Sequence, residues 1–530
     1  MKVHRGFAMW KYALHIMMLM IVFSMLMGPQ IVRAAENADL ENRIQQLEQQ
    51  LGELKTMLEE QKKAEAEKPA PPAEEKPVTK LIGPGGTLRV GGDIRWRGLY
   101  FDNLWDFNSR NDGDQRKVFR FRPRVFFDWN PNESMEAYVR FTKEWFYGQD
   151  EEAAGYDVEA KDAMFDNAWA EWKNMWDTGL TLRVGRQDLV YGEGFILLDG
   201  TPWDGSQTIS FDAAKLTYTH DWGTSDLIYS KLVEGDFQNV DDEDLYGLYN
   251  KLKWNDVALE PYLLFRNKNM KALDGVKLAR INNLFAGGTP ITYIDSFDPS
   301  PAEETLLLGM RTSYGFEVSD GVKLTLTAEG GKEWGQVNFS SMDALPPALQ
   351  FSRRAGSGKV DRDAWGGLAH AVLAFNDVAW KPSVKGGIYY MSGDDPTTED
   401  YEGWDDFYAQ WPKYSELYVY TLYDGFKSRS GGNDPDVGVW SNMYIPEAMI
   451  TVKPTDRLTQ SLRYLFYGAE EGVGPGGGKD RGHNLQWLTE YVFTKNLTGH
   501  FLFEWFEPGN FYADDADDAF FTRFQLMYTF

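Results

Sequence analysis

Arg120, Arg122 and Arg124 stand at alternate positions in Phe119-Arg120-Phe121-Arg122-Pro123-Arg124-Val125-Phe126-Phe127. Alternate residues of an extended chain share a face, so three guanidiniums form a ladder on one side while Phe119, Phe121, Val125 and Phe127 cover the other. A guanidinium fork matches a carboxylate or a phosphate, which makes the ladder suited to holding or guiding anions. The same alternation puts Arg89, Arg95, Arg97, Arg140, Arg183, Lys215, Arg266, Lys323, Lys385, Arg463 and Arg523 on the polar faces of other segments. Acids share those faces: Asp93, Glu136, Glu144, Glu171, Glu260, Glu329, Glu490 and Glu504. Either the two signs satisfy one another in a polar interior, or the acids keep each anion site of a basic track weak enough to release its guest.

Catalysis has little to draw on. There is no cysteine, and beyond the N-terminal segment only His220, His370, His483 and His500 remain, none tied to a serine in a hydrolase motif. No Gly-rich loop followed by Lys-Ser/Thr is present to cradle a nucleotide phosphate. No enzyme activity, catalytic residue or cofactor is therefore expected. The acidic runs Asp241-Asp242-Glu243-Asp244 and Asp514-Asp515-Ala516-Asp517-Asp518 lack the ligand spacing of a calcium loop, so no metal site is expected. They read as solvated loop charge, with divalent-cation bridging to lipopolysaccharide as the functional alternative. A net charge of −26 argues against nucleic acid as a partner.

The elements that must position the ladder are strands. Between Thr87 and Phe530 the chain breaks into eighteen alternating segments of about ten residues. Short connections such as Asn130-Pro131-Asn132-Glu133, Asn255-Asp256, Pro454-Thr455 and Lys495-Asn496 alternate with long ones at 102–115, 268–303, 334–362 and 392–443. A soluble sandwich has no reason to alternate its turn lengths, whereas an outer-membrane barrel has short periplasmic turns and long outer loops. With 15% aromatic residues yet a mean hydropathy of −0.47, the composition also fits strands with one lipid-facing and one water-facing side. The last segment puts Phe524, Leu526, Tyr528 and Phe530 outward and Arg523, Gln525, Met527 and Thr529 inward. The expected fold is all-β: a transmembrane antiparallel barrel of about 18 strands over 87–530, in the outer membrane of a Gram-negative cell. Its C-terminal strand, ending in Phe530, is the segment expected to meet the barrel-assembly machinery and to pair with the first strand around Arg95 and Arg97.

Residues 1–34 read as a secretory signal: Lys2, Arg5 and Lys11, an apolar run from Ala13 to Met27, then Val32-Arg33-Ala34 with cleavage near Ala34 or Ala35. Within 36–63, Leu40, Ile44, Leu47, Leu51, Leu54 and Leu58 make an a/d heptad seam, a short periplasmic coiled coil. Residues 64–86, with Pro69, Pro71, Pro72 and Pro77 among Glu and Lys, read as an extended spacer. The arm admits a homotrimer through residues 40–61, contact with the cell wall, or a lone docked helix.

Val184-Gly185-Arg186-Gln187-Asp188, Tyr191-Gly192, Leu198-Asp199-Gly200-Thr201-Pro202-Trp203-Asp204-Gly205-Ser206 and Phe211-Asp212-Ala213 together resemble the alginate export family of outer-membrane porins. Phe503-Glu504-Trp505-Phe506-Glu507-Pro508-Gly509-Asn510-Phe511-Tyr512 is similar to that family too. The resemblance implies an eighteen-stranded barrel with an electropositive pore, loops folded in to constrict it, and passage of an anionic polysaccharide or smaller anions. Arg186 and Asp212 flank the loop 189–210 and are expected to pair and pin it as a constriction. The arm departs from the family pattern and is similar to that of trimeric phosphate-selective and dicarboxylate porins.

Overall fold

The computed structural model describes residues 79–83, 85–103, 107, 109, 115–147, 163–198, 211–233, 243–268, 303–338, 359–395, 397–409, 414–417, 440–472, 476–512 and 514–530. All belong to the unit Lys76–Phe530. The signal segment, the heptad seam and the spacer as far as residue 78 lie outside the described residues.

Antiparallel neighbours follow the chain order. β1 (Thr79–Gly83) and β2 (Gly86–Asp102) form a hairpin, so the end of the expected spacer is strand. β3 (Arg116–Asn132), β4 (Met135–Thr142), β5 (Trp145–Tyr147), β6 (Met164–Met175), β7 (Leu180–Gln187), β8 (Phe211–His220), β9 (Gly223–Val233) and β10 (Glu243–Trp254) come next. β11 (Val257–Lys268), β12 (Glu303–Ser319), β13 (Val322–Asn338), β14 (Lys359–Phe375) and β15 (Ser383–Met391) continue the sheet. β16 (Met443–Thr455), β17 (Leu458–Gly468), β18 (Asp480–Thr494), β19 (Leu497–Pro508) and β20 (Ala519–Thr529) complete it. β1 only extends the edge of β2, and β5 resumes the line of β4 after a break at Lys143-Glu144. Of the twenty strands among the described residues, the other eighteen form the barrel wall.

Closure joins β20 to β2, with Arg95 opposite Met527 and Arg97 opposite Gln525. Gly92 and Phe530 exchange main-chain bonds of 2.9 and 3.0 Å beside that seam. A Cβ on Gly92 would meet the Phe530 ring at 2.8 Å and the Arg124 carbonyl oxygen at 2.2 Å, so only glycine fits.

Turn length alternates all the way round, from 133–134 and 255–256 on one rim to 269–302 and 392–442 on the other. Two turns differ from expectation. β3 runs through Pro131-Asn132 to turn at Glu133-Ser134, and β16 runs through Pro454-Thr455 to turn at Asp456-Arg457. Both prolines fall where the register slips and no ladder donor is required.

The outer face carries the apolar band. Trp176, Trp222, Trp254 and Trp380 project beside the short turns, 61–72% exposed, and Trp334, Trp365, Tyr229 and Tyr246 ring the opposite end. Leu227, Leu248, Leu263, Leu308 and Met310 are exposed between the two rings. Aromatic girdles around an aliphatic belt are what a bilayer's two interfaces and core select. The inner face holds the buried charges.

Candidate functional site

The arginine ladder of β3 stands against a second one on β2. Arg95 faces Arg122, Arg97 faces Arg120, and Asp93 faces Arg124 across the hairpin. Like charges directly opposite are destabilising, so this register needs compensation from elsewhere. Glu144, in the break between β4 and β5, accepts from Arg95 at 3.0 Å and from Arg120 at 2.7 and 3.1 Å. Asp93 takes Arg124 at 2.7 Å and Arg122 at 3.4 Å. Arg97 donates to Gln525 at 2.6 Å, and Arg523 donates to His500 Nε2 at 2.8 Å and to Glu416. Among the described residues, this wall sets Arg95, Arg97, Arg120, Arg122, Arg124 and Arg523 against the carboxylates of Asp93, Glu144 and Glu416. Arg89, nearer the short-turn rim, pairs with Asp128.

Most of the remaining candidate cations are paired with carboxylates of the wall or the loops. Arg140 bonds Asp166 at 2.8 Å, Arg183 bonds Glu171 at 2.7 Å while stacking on Trp169, and Lys385 and Arg463 share Glu447. Arg266 is buried with Glu303 and Asp405. Lys215 faces the lumen beside Arg183 in the β7–β8 register, and Lys323 is exposed next to the short turn at 320–321. Of the acids, Glu136 pairs with Lys173 and Glu260 with Arg311. Glu329 accepts from Tyr262 at 3.2 Å, and Glu490 lies exposed near the rim. Among the described residues, the arginines that escaped the sequence reading include Arg311 and Arg362 in the lumen and Arg481, buried against Phe511. Arg362 lies one residue before 363–376, which alternates as a strand, and Arg311 shares the alternation of outward Leu306, Leu308 and Met310 that points it inward.

Among the described residues, parts of the β7–β8 and β15–β16 loops enter the barrel. From the β7–β8 loop, Leu189 and Phe195 to Leu198 are buried, the Tyr191 hydroxyl donates to Asp226 at 2.7 Å, and Glu193 reaches His370 at 2.8 Å and Arg311 at 3.6 Å. Arg186 and Asp212 form a bidentate pair, 2.7 Å on each arm, on the outer face at the strand ends. The described part of this loop is thus also held from inside, by Tyr191 and Glu193; residues 199–210 lie outside the described residues.

The β15–β16 loop reaches further. Tyr401 pairs its main chain with β14, at 2.7 Å to Asp361 and 2.9 Å to Asp363. The Trp404 indole is fully buried against Gly331 and Gly366, which face each other across β13 and β14. A Cβ on Gly366 would lie 2.5 Å from the indole. Asp405 joins Arg266 to Arg362, and its amide donates to Glu333 at 3.1 Å. Burial alone would raise the Asp405 carboxyl, but the two guanidiniums hold it well below the usual range. Its neighbour Asp406 is pushed up to about 7, by burial first and by Asp405 second. Tyr408 exchanges main-chain bonds with Ile196 and Leu198, fastening the two loops together. The same loop then meets the arginine wall, where Tyr414, Ser415 and Glu416 touch β18, β19 and β20. Only its length and its aromatic density, Tyr401 to Tyr414, marked it in sequence.

Residues 87–524 match the alginate export family. The chain belongs to that family. Its barrel is an outer-membrane channel and not an enzyme, as the closed sheet, the lipid-facing girdles and the family together require. Solved structures similar to this alginate export barrel include three proteins of Pseudomonas aeruginosa. OccK8 (OprE) is 10% identical, with a TM-score of 0.49, covering 83% of this chain and 98% of that one. OccK10 (OpdN) is 11% identical at 0.48, covering 83% and 99%, and OccK5 (OpdH) 12% identical at 0.47, covering 83% and 97%. A comparison with curated protein sequences returns no match. In this family member the Phe503–Tyr512 motif packs the lumen near the outer rim: Phe506 and Tyr512 lie 5.2 and 4.8 Å from the ring of Phe107.

Proposed function

We propose that the channel passes anions passively, and that the wall of Arg95, Arg97, Arg120, Arg122, Arg124 and Arg523 selects them. The observation that carries this is the register of β2 on β3, which sets arginine opposite arginine twice and so concentrates positive charge in one arc of the lumen. The other luminal cations of the sequence reading, Arg89, Arg140, Arg183, Lys215, Arg266, Lys323, Lys385, Arg463, mostly serve the packing of wall and loops. The family description supports an anionic polysaccharide such as a polyuronate as the guest; phosphate or small dicarboxylates are the alternative. Purified channel in a planar bilayer under a KCl gradient tests it: the reversal potential should report preference for chloride, and a uronate oligomer should interrupt the current. Cation preference would refute the reading.

Arg186 and Asp212 are proposed to brace the rim beneath the constriction loop. The heptad arm supports a trimer through residues 40–61, with a tether to the cell wall as the other role. Removing residues 36–78, which spares β1, should change the native assembly on size measurement and leave single-pore conductance intact. An unchanged assembly would refute the trimer. Lipid and lipopolysaccharide surround the girdles, and the strand ending in Phe530 is proposed as the end read by the assembly machinery; deletion of Phe530 without loss of folded yield would refute that.

A further inference from the structure

The arginine wall already holds a carboxylate that belongs to no strand. Glu416 arrives on the β15–β16 loop and pairs with Arg523. The segment that delivers it is fastened without that ion pair. Gln486 and the Tyr467 hydroxyl donate to the Tyr414 carbonyl at 2.6 and 3.4 Å, and the Ser415 hydroxyl and Glu416 amide donate to Glu504 at 2.6 and 2.9 Å. Leu417, which follows, is fully buried. The side chain of Glu416 is therefore presented to the wall by bonds made elsewhere, and its charge is free to serve another purpose. Burial would raise this carboxyl, yet Arg523 and then Arg97 hold it below its ordinary range.

We propose that Glu416 is the resident occupant of a carboxylate subsite formed by Arg523, Arg97 and Arg120, and that a uronate carboxylate binds there by exchanging with it. This rests on the reading of the lumen as an anion path. Charge-assisted bonds from partly desolvated guanidiniums would retain a passing carboxylate too long for transport. A tethered competitor lowers the positive charge of the subsite when it is empty of guest and speeds the guest's departure.

Glu416→Gln removes the competitor and keeps the side chain's size. Block of single channels by tri-galacturonate should then set in at about tenfold lower concentration, with longer blocked dwell times, as expected when a tethered rival at high effective concentration is lost. Glu416→Asp, which keeps the charge, should stay near the parent. Higher conductance without tighter block would mean that the loop merely swings away, and overturns the proposal. So would an equal gain in block by inorganic phosphate but none by the uronate. If the parent channel prefers cations, the function proposed above has failed; if it prefers anions and Glu416→Gln blocks like the parent, only the subsite has failed. Heat-shifted electrophoretic mobility confirms a folded barrel in each variant.

Discussion

Replacing Arg120, Arg122 and Arg124 together by Gln should lower anion over cation permeability about twentyfold at 0.1 M salt. Gln keeps a donor and much of the bulk, so lumen width changes little while three charges go. An anion at about 7 Å from one guanidinium gains about 0.6 kcal/mol in water, and screening at 0.1 M salt leaves about 0.3 kcal/mol. Three such charges give about 0.9 kcal/mol, a cation loses as much, and the ratio moves by about 1.8 kcal/mol. Arg120 is 15% exposed and Arg122 only 1%, so Arg120 supplies contact and the others mainly field. Glu144 keeps Arg95, but Asp93 loses both Arg122 and Arg124, which pushes the lumen further toward cations. At 1 M salt the Debye length falls to about 3 Å and the difference should shrink to about twofold. The assay is the reversal potential in salt gradients at both ionic strengths, on variants whose mobility shift shows a folded barrel. A permeability ratio within twofold of the parent at low salt would refute the wall as the selective element.

Two further outcomes concern the loop that crosses the lumen. Trp404→Ala removes a fully buried indole, worth about 3–5 kcal/mol, and should raise single-channel conductance and current noise; Gly366→Val, which fills the indole's place from the strand side, should do the same. Parent-like currents in both would show that the indole does not hold the loop. Asp406, raised to about 7, favours the inserted loop when protonated, so insertion should weaken as pH rises from the ordinary carboxylate range to about 7 and then level off. Asp406→Asn should hold the low-pH conductance throughout, and a parent channel with flat conductance from about pH 5 to 8 would refute this coupling.

The strands were legible because a period of two is local: the outward Phe119, Phe121 and Phe127 fix the inward Arg120 and Arg122 with no knowledge of neighbours. Pairing between strands is not local. That Arg95 meets Arg122 depends on how far β2 and β3 slide past each other across the long loop that joins them. Gly330-Gly331 and Gly366-Gly367 sit in mid-strand, where glycine weakens a sheet unless another group approaches closely. Only the fold reveals that at Gly331 and Gly366 the group is Trp404, brought from an outer loop.

The acids that make the ladder tolerable explain why its chemistry stayed half hidden. Opposed arginines could have been offset by strand carboxylates in the same alternation, and Asp93 does this for Arg122 and Arg124. Glu144 comes instead from a break between strands, and Glu416 from a loop whose contact partner, Arg523, is 107 residues away in the chain. The period that places the arginines also turns Glu144 inward, but it says nothing of Glu416. A barrel wall of fixed strand carboxylates would neutralise its arginines permanently. Carboxylates carried by a break and a loop can yield their places, and a channel that must bind an anion and then let it go needs counter-ions of that kind.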